Sequence, residues 1–240
     1  MEGASTRPTF PLLDFPLGEF TDNIAVFLQP TNEPNLVPRV LHAASVLGST
    51  TSVWPVVVLT VDSSQLLESA SLRRAVKQKR IFIQPLPAGL DIPDRAAVSM
   101  FLASPWLWQR MAAANRILLF GPDSILCANS NSTVDDYVEF DMIGIPGSLS
   151  LLNPKLFLEA TQRLAVEERG RGQSGASDEG FYSLLQDMGA NLPSLEISKS
   201  FLAEKDYSEA ALGYVQSISL PKGRARQIHE WCPEAGLIEH

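Results

Sequence analysis

Short apolar runs alternate along the chain with stretches of helical periodicity. Ile24 to Leu28, Trp54 to Thr60, Arg80 to Gln84 and Arg116 to Phe120 are each nearly free of polar positions at their centres. Such runs predict strands covered on both faces. Between the first two, Leu36, Val40, Leu41, Ala44 and Leu47 recur at helical spacing, with Asn35 placed to cap and Gly48 to stop the helix. Residues 63–77 predict one or two short helices. Residues 94–114 predict a helix broken at Ser104-Pro105, where serine caps and proline opens the next turn. After the fourth strand come the turn Gly121-Pro122-Asp123 and a short helical turn starting at Asp135 or Asp136. Two further strands, 140–145 and 148–152, flank Pro146-Gly147. Asn153-Pro154 is a cap followed by a first-turn proline, opening a helix with Leu156, Phe157, Ala160 and Leu164 on its apolar face. Residues 168–177 are rich in Gly, Ser and Arg and predict a mobile loop. Ser177 is placed to cap a helix over 178–188, whose apolar face is Phe181, Leu184, Leu185 and Met188, with Gly189 as its stop. The chain beyond Leu192 shows no clear period.

Strands alternating with helices predict an α/β fold: a three-layer α/β/α sandwich around a mainly parallel sheet. Residues 1–20, with Pro8, Pro11 and Pro16 between Phe10, Phe15 and Phe20, predict an extended arm. Residues 21–240 then form a single domain, with halves 21–127 and 128–240.

Composition narrows the function classes. Apolar residues are 45% and charged residues 19% of the 240, which predicts a well-cored globular chain and excludes bulk disorder. A net charge of −8 argues against nucleic acid as a partner, which calls for clustered positive charge. No run approaches the roughly 18 apolar residues of a membrane span. The first residues lack a basic-then-apolar leader pattern, so a cytoplasmic location is expected. In that setting the two cysteines, Cys127 and Cys232, are expected to be buried free thiols. The triplet Asn131-Ser132-Thr133 is then a chance match to a glycosylation signal.

Few residues are placed to do chemistry. Asp123 follows the strand ending at Phe120, and carboxyl ends of parallel strands face the ligand crevice of an open sheet. It either binds a hard cation there or closes a turn through its side chain. Asp178 and Glu179 open the 178–188 helix. At about 100° per residue Asp178 lies roughly 70° from the centre of the apolar face and Glu179 roughly 170° from it. Asp178 is thus either a helix-dipole carboxylate or a site residue beside the preceding loop. His42 falls off the apolar face of its helix, and His42, His229 and His240 show no metal-ligand spacing. The sequence contains no Gly-x-Ser-x-Gly elbow, no GxGxxG in the turn directly after the first strand and no Walker loop, so serine-hydrolase, classical dinucleotide and P-loop readings lack support.

Arg116-Ile-Leu-Leu-Phe-Gly-Pro-Asp123-Ser-Ile-Leu-Cys127 resembles the central motif of an uncharacterised fungal family of glycosyltransferase-like proteins. Ser104 to Trp108 resembles the segment before that motif, and Val134 to Gly144 the segment after it. Ser148-Leu-Ser-Leu151, Asp178 with Phe181-Tyr182, Leu212-Gly-Tyr214 and Trp231-Cys-Pro-Glu234 resemble later stretches. The resemblance implies a GT-A-like fold with a nucleotide-binding first half and an acceptor-binding second half. It implies that Asp123, as a single-carboxylate variant of the Asp-x-Asp motif, contacts Mn²⁺ or Mg²⁺ and the diphosphate of a nucleotide sugar, with Ser124 beside it. It places Gln29 and Asn32 against the nucleoside, and makes Asp178 a candidate base toward a small-molecule or glycan acceptor. The chain departs from the pattern at Gly121-Pro122, at Pro146-Gly147-Ser148, at Leu152, at Ser177 and at Val215, where the family tends to carry polar side chains or histidine. Those departures leave two alternatives: a repurposed or metal-independent enzyme of fungal small-molecule biosynthesis, or a non-catalytic binding protein.

Overall fold

The protein is described by a computed structural model, which covers residues 20–29, 35–52, 54–61, 63–86, 90, 92, 95–171, 178–203, 211–216 and 224–238. The arm expected over 1–20 lies outside these residues apart from Phe20, which is buried edge-on against Phe82 with ring centroids 5.1 Å apart.

The all-apolar runs become the central sheet. Strands β1 (Ile24–Gln29), β2 (Val56–Thr60), β3 (Ile81–Pro85) and β4 (Ile117–Phe120) are parallel neighbours in the order β3-β2-β1-β4. Two later strands extend the sheet beyond β4. β7 (Leu149–Leu152) runs antiparallel to β4, and β6 (Met142–Gly144) antiparallel to β7. The sheet is therefore six-stranded and mainly parallel.

Alternate residues of each strand point to opposite faces, and both faces are covered. Ala25, Phe27, Val56, Val58, Leu118 and Phe120 pack against α1 (Leu36–Leu47), Leu66 of α2 (Ser64–Glu68) and Leu72 of α3 (Ala70–Lys77). Ile24, Val26, Val57, Leu59, Ile117 and Leu119 pack against α4 (Arg95–Leu102), α5 (Pro105–Met111), α6 (Pro154–Arg171) and α7 (Asp178–Asp187). This is the three-layer α/β/α architecture the sequence predicts. Burial on both faces is why β1, β2 and β4 tolerate no charged residue.

A second sheet was not legible in the sequence. β5 (Ser124–Leu126), β9 (Gly213–Val215) and β8 (Leu202–Ala203) form it in the order β5-β9-β8. Its approach to the main sheet is close: a β-carbon on Gly213 would overlap the Leu149 side chain. A separate apolar cluster of Ile125, Ala203, Ala211, Tyr214, Ile228, Trp231 and Ile238 joins this sheet to α9 (Arg224–Trp231) and the 3-10 turn Pro233–Leu237. Cys127 and Cys232 meet within it as a disulfide, with Cα atoms 4.9 Å apart. The expectation of two free thiols is thereby corrected: apolar packing of α9 on the small sheet brings them together.

Several local expectations need adjustment. Gly48 ends α1 with a right-handed φ of −75°, so its role is close approach, not a left-handed turn. A β-carbon there would sit 2.6 Å from Arg80 Nη2, which donates to the Ala44 carbonyl. Asn35 makes no side-chain cap bond. Helix α6 continues to Arg171, into the segment expected as a loop from 168. Glu and Arg are good helix formers, and a helix end needs no apolar face. Residues 172–177 lie outside those described, Ser177 among them. Among the described residues no helix is long and apolar enough to cross a membrane.

Candidate functional site at the β1–β4 switch point

After β1 the chain moves outward through β2 and β3, then crosses back to place β4 on the other side of β1. The carboxyl ends of β1 and β4 therefore flank the point where the strand order reverses, where open α/β sheets bind ligands. Gln29 ends β1, level with Thr60 at the end of β2; both are buried. Phe120 ends β4, stacked on Phe27 with centroids 4.4 Å apart. The turn Gly121 to Asp123 leaves the sheet there and enters β5.

Asp123 is half-buried on that turn. Its Oδ2 accepts a hydrogen bond from Ser148 Oγ at 2.8 Å. Its Oδ1 is shielded from solvent and has no hydrogen-bond partner among the described residues. A carboxylate oxygen in that state is costly unless a cation or donor reaches it. Its backbone is fixed as well, since the Asp123 carbonyl accepts from Gln216 N at 2.8 Å, just after β9.

The turn is clamped from two sides. Gly121 N donates to the Ser148 carbonyl, and a β-carbon on Gly121 would overlap the Gly147 carbonyl oxygen. Gly147 itself has φ of +87°, a conformation that favours glycine. From α1, the buried Arg39 donates through Nη2 to the carbonyls of Gly121 at 2.7 Å and Ser124 at 3.3 Å. One helical turn on, His42 donates through Nε2 to the Leu126 carbonyl at 2.9 Å. His42, expected off the apolar face, is half-buried and spent on β5. Arg39 and His42 thus fasten the Asp123 segment along its length.

The other expected site residues are placed as follows. Ser124 is 1% exposed, and its hydroxyl donates into the turn, toward the carbonyls of Gly121 at 3.1 Å and Ser148 at 3.3 Å. Asn32 lies outside the described residues. Asp178 opens α7, and its side chain is not among those described. The face of α7 is nonetheless fixed: Leu185 is buried, and Phe181 meets Phe157 of α6 with centroids 5.1 Å apart. Gln29 and Asp123 are brought to the same end of the sheet.

Two residues of the site went unread in the sequence. Ser148 carries the direct bond to Asp123, and Arg39 holds the turn. The signals were present. Ser148 and Ser150 alternate with Leu149 and Leu151, a period-2 pattern that predicts both hydroxyls on one face of a strand over 148–152. Ser150 Oγ is buried with no partner among the described residues. Arg39 falls three residues after Leu36 and four before Ala43, on the buried side of α1.

As a cation site the cluster is minimal. Among the described residues no group of three His, Cys, Asp or Glu side chains could hold a metal. The orphaned Asp123 Oδ1 fits one coordination position, and a diphosphate would have to supply further oxygens.

Comparison with known proteins adds the following. No curated protein matches the chain. Among solved structures 57 chains match. One is the apo-form glycosyltransferase GlyE of Streptococcus pneumoniae TIGR4, at 14% sequence identity and a TM-score of 0.38. That likeness covers 68% of this chain and 42% of that one, so the chain spans less than half the length of GlyE as solved. A family profile matches residues 80–216, from the lead into β3 to the residue after β9. The match takes in Asp123 and Ser148 and covers more than half of the sequence, and the chain belongs to the family described as "Protein of unknown function (DUF5672)".

Proposed function

We propose that the protein is a glycosyltransferase-like enzyme that moves a sugar from a nucleotide-diphosphate sugar to an acceptor hydroxyl. One observation carries the reading: a buried carboxylate oxygen on Asp123, unpartnered among the described residues and held by Ser148, Arg39 and the Gly121 turn at the switch point of a mainly parallel sheet. Gln29, at the end of β1 beside it, would meet the nucleoside together with Asn32. Asp123, with Ser124 shaping its turn, would hold Mn²⁺ or Mg²⁺ against the diphosphate. The cation, when bound, would neutralise the charge that gathers on the leaving diphosphate. Asp178, at the start of α7, would take the proton of the acceptor hydroxyl as its oxygen bonds to the anomeric carbon and the bond to the diphosphate breaks.

A second reading has its own support. Asp123 Oδ2 is already taken by Ser148, and the described residues supply no multi-ligand metal cluster. A binding protein or an enzyme of small-molecule biosynthesis that needs no metal would be built this way.

A melting series with nucleoside diphosphates and nucleotide sugars, with and without Mn²⁺, separates them. Ligand at about a hundredfold over its Kd stabilises by about 2.7 kcal/mol. For a chain of this size that raises Tm by roughly 5–10 °C. The first reading expects that rise for a nucleotide with Mn²⁺ and its loss in Asp123→Ala. An equal rise with and without metal, kept in the variant, supports the second. No rise with any nucleotide abandons the glycosyl-transfer reading.

A further inference from the structure

The disulfide changes the meaning of a sequence feature set aside as chance. Cys127 and Cys232 are bonded, and both are buried, at 1% and 0% exposure. Disulfides of this shielded kind form in oxidising compartments such as the lumen of the endoplasmic reticulum and are rare in the cytosol. The expectation of two free thiols followed from a cytoplasmic location, and the bond between them runs against that location. The same lumen is where oligosaccharides are attached to Asn-x-Ser/Thr.

The triplet Asn131-Ser132-Thr133 lies four residues beyond Cys127, in the irregular segment between β5 and the 3-10 turn Val134–Tyr137. Asn131 is exposed, and its side chain makes no hydrogen bond among the described residues. Its neighbours hold the segment instead. Ser130 N donates to the Cys127 carbonyl at 3.1 Å, and Ser132 N to Ser130 Oγ at 3.1 Å. Thr133 N donates to Asp136 Oδ2 at 2.7 Å, and that carboxylate also accepts from Thr133 Oγ1 at 3.2 Å. The loop is therefore tied down on both sides of a free, outward asparagine.

The location also leaves the candidate site clear. The 3-10 turn that follows carries Asp135, which accepts from Ser52 N and Trp54 Nε1, each at 2.9 Å. Both donors precede β2, at the amino-terminal edge of the main sheet. Gln29 and the Asp123 turn stand at the carboxyl edge, so a bulky group on Asn131 grows away from them.

We propose that Asn131 is a modification site carrying an N-linked oligosaccharide, attached in the compartment where Cys127 and Cys232 are joined. In the transfer, Asn131 Nδ2 bonds to the anomeric carbon of a lipid-diphosphate-linked oligosaccharide. The carbon–oxygen bond to the lipid diphosphate breaks, the amide releases one proton, and nothing is oxidised or reduced. Joining the two thiols removes two electrons and two protons, which pass to a disulfide-carrying oxidoreductase of that compartment.

The test uses the full chain isolated from its own cells, with free thiols alkylated at lysis. Treatment with an amide-cleaving N-glycosidase in heavy-oxygen water is expected to increase gel mobility. It should convert Asn131 to a heavy-labelled aspartate in the tryptic peptide, and the Cys127–Cys232 cross-linked peptide should be recovered from the same sample. The mobility step should vanish in Asn131→Gln, which removes no internal bond, and persist in Thr133→Ser, which keeps both the triplet and the hydroxyl bonded to Asp136. Recovery of the Asn131 peptide without glycan overturns the proposal. So does alkylation of both cysteines in the native material, or a mobility step that survives in Asn131→Gln.

Discussion

Asp123 owes its setting to a glycine turn, the Ser148 hydroxyl and the buried Arg39 that holds the turn's carbonyls. Gly121 lets the turn lie against the Gly147 carbonyl, which any β-carbon would displace. Gly121→Ala should therefore destabilise the fold by about 1–3 kcal/mol, the usual cost of forcing extra volume into a packed place. Urea denaturation checks this, and a midpoint equal to that of the unaltered protein contradicts the close approach. Asp123 itself could be found in the sequence because a four-residue apolar strand ending in Gly-Pro announces a carboxyl-end turn. Ser148 and Arg39 could not be assigned to it. Their bonds reach across 25, 82 and 85 residues, and hydropathy patterning along one chain says nothing about which distant carbonyl or carboxylate a polar side chain meets.

Elements with enough length to show a period were legible, and the two- and three-residue strands of the second sheet were not. β1, β2 and β4 were read because burial on both faces leaves an unbroken apolar run. The broken helix pair α4–α5 was read because Pro105 occupies a first-turn position. The strands of the second sheet have two or three residues each, too few for an alternation to appear. Length also hides the anchoring of β2. Its approach is set by Asp135, whose two oxygens hold Ser52 N and Trp54 Nε1 from a short turn 81 to 83 residues away. Asp135→Ala leaves a part-buried backbone donor and an indole donor without that carboxylate. Hydrogen bonds to charged groups contribute about 1.5–3 kcal/mol each, and the two share one carboxylate. A loss of about 2 kcal/mol in unfolding free energy is expected, together with a shift in Trp fluorescence. Unchanged stability would show that the turn does not secure β2.

At the scale of the whole molecule, the three layers followed from the alternation of strand and helix, whereas the joining of Cys127 to Cys232 did not. A separation of 105 residues carries no spacing signal, and the packing of α9 on the small sheet that brings the sulfurs together was itself unread. Closing a loop of about a hundred residues restricts the unfolded chain by up to about 4.7 kcal/mol. Replacing both cysteines by alanine should therefore lower the unfolding free energy by about 2–5 kcal/mol, measured by denaturant titration against the oxidised protein. An equal free energy for the two would mean that the cross-link constrains nothing that unfolding releases. The bond also governs how the molecule transmits tension. Pulled from its two ends, the oxidised chain bears load from β5 directly into the residues after Cys232, and the main-sheet strands β6 and β7 with helices α6, α7, α8 (Leu195–Phe201) and α9 stay out of the force path. Its greatest extension falls short of the reduced chain's by about 350 Å, the contour of the bypassed segment at about 3.3–3.6 Å per residue.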